Sequence, residues 1–406
     1  MRAVFVLSSL LVVLFSSVPC SAGSGKSPSK NDFVKYEYID EYDIEKLNSI
    51  LANDLKQFTK EQTNFSPARY AVKLYKVTYA TVIPEKGNRR TVASGLVAVP
   101  QTGGDRFDVV SYQHGTVFSK TEVPSSPEQS AETRLVLASF AAQGYVVVAA
   151  DYIGKGVSTE PDSYLVKDST AQACFDMLYA AKAVCAELGV GLGKLFLSGW
   201  SQGSYSTLVF LKKLEASGVP VTALGVASTP NDLYLSLERW LNAKSPQDVN
   251  WLVGVTLLIL GSYENYYGPQ SLRSDAIRPE YLATARKLYG NSISWEAAEK
   301  ELPLYSKDFV QEKFAELGAI AGGGFFAKLQ ENIAYCWRFK TTTRFYYGKI
   351  DEVVPPYVAT LPVEYQRAIG GAESRAVYAG DRANHRGTFV FGLSDQVEWF
   401  RSLQRE

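Results

Sequence analysis

Residues Lys194–Tyr205 read KLFLSGWSQGSY: an apolar run, a Gly-X-Ser-X-Gly turn and the start of a helical pattern. Leu195, Phe196 and Leu197 have the character of a buried strand, and Leu208, Val209 and Leu211 follow at helical spacing. A chain that leaves a strand and reverses at once into a helix leaves no room for a Cβ on either side of the bend, and Gly199 and Gly203 meet that need. Such a turn presents the Ser201 hydroxyl at the carboxyl end of its strand. A chain with 31 glycines can carry this pattern by chance in a loop. The strand before it and the helix after it favour a nucleophile.

Outward from this turn, apolar runs alternate with helical patterns. Upstream, 72–83 and 91–100 are β-rich and separated by the turn signal EKGNRR, which makes an antiparallel hairpin. Residues 107–112 and 144–150 read as buried parallel strands with a helix over 131–143 between them. A helix over 168–188, opened by Ser169 and Gln172 as a capping box, leads through the glycine-rich loop 189–193 into the strand that carries Ser201. Downstream come a helix over 203–217, strands over 221–227, 342–350 and 374–379, and a closing helix from Leu393. The fold class is therefore α/β: a mostly parallel sheet with an antiparallel N-terminal hairpin and helices on both faces.

The block 230–341 interrupts this alternation. It carries Trp240, Trp251, Tyr263, Tyr266, Tyr267, Trp295, Phe325, Phe326, Tyr335 and Trp337 on mainly helical patterns. It reads as an inserted helical cap whose rings mostly form its own core, a few of them lining a pocket. The core domain is then 70–229 and 342–406. Segment 23–69 supplies a linker, GSGKSPSKN over 23–31, and a helix capped by Asp43 that packs on the outside of the main body.

The chain has 406 residues, 46% of them hydrophobic, enough for a large buried core. Its 42 acidic and 42 basic residues cancel, so it lacks the electrostatic footprint of a nucleic-acid or anionic-membrane binder. Arg2, the apolar stretch to Val18 and then Cys20-Ser21-Ala22 read as an export signal over 1–22, cut after Ala22, giving a secreted or periplasmic protein. A membrane anchor needs a longer apolar run, of about 20 residues. Lipidation of Cys20 is the alternative, with Val18-Pro19 a poor match to it. Cys174, Cys185 and Cys336 then remain, an odd number with two on one helix, which suggests buried thiols and no disulfide framework. With two histidines in the chain, metal binding has little support.

A serine nucleophile needs a base, and the base needs a group that holds its tautomer. His385, in GDRANHRGT after the last strand, is the base by position. His114, in QHGT, shapes its loop together with Gly115. Asp351 in YYGKIDEVVPP follows a strand directly and is the preferred orienting acid, with Glu352 expected to point the other way and Asp381 the second candidate. The tetrahedral intermediate calls for two N–H donors. These are the backbone N–H of Gln202, at the start of the helix, and that of Thr116.

With Ser201, Asp351 and His385 in this order, the chain resembles the α/β-hydrolase superfamily, and within it the secretory lipase-like esterases. The likeness rests on YQHGT, VVVAADYIGKG, PDSYLVKDSTAQACFDMLYAA, GWSQG, DEVVP and NHRG and covers roughly residues 70–404. One departure is Asp162-Ser163-Tyr164, where many relatives have His-Pro-Tyr, and no role is carried over to that position. The resemblance implies hydrolysis of carboxylic esters through an acyl-enzyme, with no metal or organic cofactor, a small-molecule ester as partner and no obligate protein partner. Esters of short or medium acyl groups, or esters with an aromatic portion, are the expected substrates, because Tyr and Trp suit a partly wet pocket mouth. The other readings are a true lipase on long-chain acylglycerols, a serine peptidase or acyltransferase, and a non-catalytic binding protein on the same scaffold.

Overall fold

Strand pairing organises the chain around the strand that ends at Trp200. The computed structural model describes residues 33–60, 63–242, 244–316 and 323–404, so the proposed export signal and linker lie outside the described residues. The strands are β1 (Val34–Tyr42), β2 (Val72–Ile83), β3 (Arg89–Pro100), β4 (Arg106–Gln113), β5 (Val146–Ala150), β6 (Gly191–Trp200), β7 (Ala223–Ala227), β8 (Thr342–Tyr347) and β9 (Ser374–Tyr378). They form one sheet in the order β1-β2-β3-β5-β4-β6-β7-β8-β9. The pairs β1–β2, β2–β3 and β3–β5 are antiparallel. All pairs from β5 to β9 are parallel.

Residue pattern explains the placement. β2 alternates buried and half-buried positions, as a strand covered on one face does. β5 is VVVAA and buried throughout, and β6 is buried from Leu195 to Trp200, as strands covered on both faces are. On one side of the sheet, Met177, Tyr205, Leu208 and Phe210 come from the helices Lys167–Glu187 and Gln202–Ala216. On the other, Phe400 stacks on both Phe140 and Phe196, with centroids 5.9 and 4.7 Å apart.

The topology also fixes where a site can form. β4 lies between β5 and β6, so the chain leaves β4 in one direction and returns on its other side. The loops after β4 and β6 therefore open at a switch point beyond the carboxyl ends of the strands. Between β7 and β8 come the helices Leu233–Asn242, Leu252–Tyr266, Pro279–Tyr289 and Gly324–Glu331, with shorter ones between. Leu252–Tyr266 is buried almost all round, which its near-continuous apolar sequence LVGVTLLIL requires.

Several details differ from the sequence reading. β1 is an additional antiparallel strand, on the edge of the sheet; its pattern VKYEYIDEY is too polar to stand out. Lys167–Glu187 has no side-chain cap at its start, because Ser169 Oγ donates instead to Glu85, and Gln172 donates to Asp176. The closing helix begins at His385, not Leu393, so the histidine stands in its first turn. Cys174 and Cys185 are buried free thiols on one helix, but Cys336 is exposed. Asp43 does cap the helix Ile44–Asn53, accepting from Lys46 N–H at 2.7 Å.

Candidate active site

At the end of β6 the backbone turns through Ser201, whose φ of 55° and ψ of −120° lie in a region that side chains disfavour. The turn is fixed from two sides. Ser201 N–H donates to Ala227 O at 3.0 Å, tying the bend to β7. A Cβ built on Gly199 would come within 2.3 Å of Thr207 Oγ1, so the helix can follow the strand this closely only with glycine there. Ser201 is 6% exposed, and what it faces is a cavity of about 640 Å3 that it lines with Thr116, Trp200, Trp251, Trp295 and His385.

His385 Nδ1–H points at Asp351, 3.0 Å from Oδ1 and 3.2 Å from Oδ2. Both side chains are almost wholly shielded, at 1% and 2% exposure. Asp351 Oδ1 also accepts the N–H groups of Val353 and Val354 at 3.0 and 2.9 Å. Burial works to raise the Asp351 carboxyl, but the charge and hydrogen bond of His385, with help from Ser228 and Val354, hold it below the ordinary carboxylate range. With Nδ1 engaged, the other ring nitrogen, Nε2, is buried and has no protein partner among the described residues. A buried acceptor on a residue that lines the same cavity as Ser201 can receive a proton there. In unliganded enzymes that bond is often long and tightens only with substrate.

Glu352 does not point away. Its Oε2 accepts the backbone N–H of His385 at 3.0 Å, so adjacent carboxylates hold the histidine by ring and by backbone. The imidazole also stands between two indoles, Trp200 at 5.0 Å and Trp251 at 6.0 Å between centroids. Trp200 Nε1–H donates to His385 O. Asp381, the second acid candidate, is exposed and pairs with Lys349 at 3.1 Å and Tyr378, away from the imidazole.

The loop after β4 is held from several sides. His114 stacks on Tyr152 with centroids 4.3 Å apart, and its Nδ1 lies 2.8 Å from Gly115 O. Burial pushes the His114 imidazole down to about 4, so it is neutral at ordinary pH. Thr116 Oγ1 is 2.7 Å from Tyr164 OH, and Gly115 N–H donates to Glu132 Oε1 at 2.7 Å. The stretch Asp162-Ser163-Tyr164 is thus packed under this loop. Asp162 forms a buried ion pair with Lys155 at 3.0 Å, and Lys155 Nζ donates to Val117 O. Glu132 did not stand out in the sequence, and Glu352 did so only as a neighbour of Asp351 expected to point away.

Of the aromatic residues in 230–341, Trp251 and Trp295 line the cavity, with Phe118 stacked on Trp295 at 4.7 Å. Trp240 and Tyr263 are buried elsewhere, Trp240 donating to Val353 O. Among the described residues no group of three or more His, Cys, Asp or Glu side chains could hold a metal ion.

No protein-family model matches the chain, and no curated protein sequence matches it. Solved structures do. A candidate hydrolase from Legionella pneumophila superposes with a TM-score of 0.80 at 25% identity over 92% of this chain and 99% of its own. The rice cell wall degrading esterase LipA from Xanthomonas oryzae gives 0.74 at 23% identity, over 91% and 96%. Candida antarctica lipase A in its closed state gives 0.64 at 15% identity, over 91% and 81%. With the sheet order above, the fold is that of the α/β-hydrolases.

Proposed function

We propose that this chain of α/β-hydrolase fold is a serine hydrolase of carboxylic esters. The observation that carries the reading is that Ser201 and His385 line one cavity, with Asp351 on Nδ1 of the imidazole and Nε2 without a partner among the described residues. Ser201 Oγ attacks the ester carbonyl carbon while its proton passes to His385 Nε2. The tetrahedral oxyanion is received by the backbone N–H groups of Gln202 and Thr116. As the carbon–oxygen bond to the alcohol breaks, His385 returns the proton to the leaving oxygen. A water molecule, deprotonated by the same nitrogen, then releases the acid from Ser201 and restores the serine.

Residues 230–341 act as the cap, supplying Trp251 and Trp295 to the cavity wall. A pocket of this size with an indole-rich wall suits short or medium acyl groups, or esters with an aromatic portion. On its sequence alone, the segment 1–22 is taken as an export signal. No helix among the described residues is long and apolar enough to cross a membrane.

A series of p-nitrophenyl esters from acetate to palmitate tests the reading. Each methylene buried in an apolar pocket contributes ~0.8 kcal/mol, so four added carbons raise kcat/KM by roughly a hundredfold while the pocket has room. The expected profile rises and then falls well before palmitate, and Ser201→Ala abolishes it. Rates that climb to palmitate, with a jump above the micelle concentration, would mark a lipase; no hydrolysis of any member would remove the esterase reading.

A further inference from the structure

Glu132 is a buried carboxylate that the hydrolytic scheme does not use. It stands in the first turn of the helix Ala131–Ser139 and is 7% exposed. Ser130 caps that helix, its Oγ accepting Thr133 N–H at 3.1 Å, so Glu132 is not needed for that purpose. A side chain of this kind is usually found inside a protein only where it is satisfied. Here a single oxygen, Oε1, accepts two donors: Tyr112 OH at 2.5 Å and the backbone N–H of Gly115 at 2.7 Å. Tyr112 lies near the end of β4, and Gly115 is the residue before the proposed oxyanion donor Thr116.

Gly115 is confined in other ways too. A Cβ there would lie 2.9 Å from the Trp200 ring and 3.1 Å from Glu132 Oε2, so the peptide is pressed between the residue before the nucleophile and the glutamate. The carbonyl side of the loop is held by other groups, with Tyr152 OH donating to His114 O and Lys155 Nζ to Val117 O. Glu132 is the group that holds the loop by an N–H next to Thr116.

We propose that Glu132 is a positioning residue of the oxyanion hole: by accepting Gly115 N–H it anchors the His114–Gly115 peptide, and so the residue from which the next peptide, held at Gly115 O by His114 Nδ1, carries Thr116 N–H toward the carbonyl on Ser201. This rests on the esterase reading above. The role needs an acceptor, not a charge. Burial pushes the Glu132 carboxyl up to about 7, against the opposing pull of Tyr112, Gly115 and His385. A carboxyl protonated on Oε2 still accepts both bonds at Oε1.

The test compares full-length wild type, Glu132→Met, Glu132→Gln and Glu132→Asp on p-nitrophenyl butyrate. Met keeps the bulk without an acceptor, Gln keeps an acceptor without a charge, and Asp keeps the charge but falls short by one methylene. Loss of an oxyanion donor lowers kcat by about 10²- to 10³-fold in a serine hydrolase. The expected result is a kcat loss on the order of 10²-fold for Met with KM within about twofold, and recovery to within about fivefold of wild type for Gln. If Met does not fold, as judged by its melting curve, Asp carries the reading, with kcat at least about tenfold down at unchanged KM. A folded Met variant with wild-type kcat, a change confined to KM, or Gln as impaired as Met would each overturn the proposal. An inactive wild type would instead remove the esterase reading, so the two failures are distinct.

Discussion

Gly203 lies so close to β4 that a Cβ on it would stand 1.8 Å from Gln113 O and 2.7 Å from His114 O. The first turn of the helix after the nucleophile is thereby pressed onto the strand that delivers the His114-Gly115-Thr116 loop. The helix start and this loop carry the two proposed oxyanion donors, so their spacing depends on this contact. Gly203→Ala should force backbone apart and lower stability by about 1 to 3 kcal/mol or more. Thermal unfolding of the purified variant checks this; a melting temperature unchanged within a degree would mean that the turn has slack.

Asp351→Asn should lower kcat by several orders of magnitude, because an amide at this position no longer favours the imidazole tautomer with Nε2 free. Asp381→Asn should stay within about twofold of wild type, since its partners are Lys349 and Tyr378 on the surface. Steady-state kinetics of the two variants decides between them, and the reverse ranking would transfer the acid role.

Stability should carry a mark of Glu132. Its carboxyl titrates at about 7 in the folded protein, mainly through burial, against about 4.3 in an unfolded chain. Between those values the folded state binds more protons, so this contribution is fully present at low pH and is lost as pH rises through about 7. Asp351 acts in the opposite sense, since its carboxyl is held low: its contribution is lost as pH falls through its folded value. Asp351 is common to wild type and Glu132→Gln, so it cancels in their difference. Relative to wild type, the Gln variant should gain about 3 kcal/mol between pH 5 and pH 8. Denaturant unfolding at several pH values measures this, and a difference independent of pH would contradict it.

The cavity mouth should discriminate by charge. Glu122 and Glu296 both line it, and burial together with Glu296 pushes the Glu122 carboxyl above its ordinary value. Lys120 and Arg386 line it too and keep their charges, but their charged ends are tied to Ser158 O and Gln57 O, carbonyls of residues that do not line the cavity. Matched esters ending in an ammonium group should be cleaved severalfold faster than those ending in a carboxylate, and the double variant Glu122→Gln, Glu296→Gln should narrow the gap. Rates for the pair in wild type and variant, at low salt, are the check; a preference for the carboxylate ester would refute it.

The central parallel strands were legible because they are buried on both faces, as β5 and β7 are along their whole length, and so appear as apolar runs such as VVVAA. β1 was not, because an edge strand half in solvent carries glutamates, lysine and tyrosines that read as a polar segment. Gly199, Ser201 and Gly203 announced their turn because its geometry constrains residue type position by position. His385 stood out through the scarcity of histidine, although the start of its helix was misjudged: the helix opens with Arg386 and Gly387, and its apolar pattern begins later. The contacts of Glu352 and Glu132 were hidden for another reason. Each acts on a backbone N–H distant in sequence, and nothing local in either segment records that contact.

Fluorophosphonate labelling of the full chain, followed by peptide mapping, tests the central claim most directly. One modified residue is expected, Ser201, with labelling abolished in Ser201→Ala and strongly slowed in His385→Ala, because the members of such a set act as a unit. Absence of labelling in the folded wild type, or a label on any other serine that persists in Ser201→Ala, would contradict it.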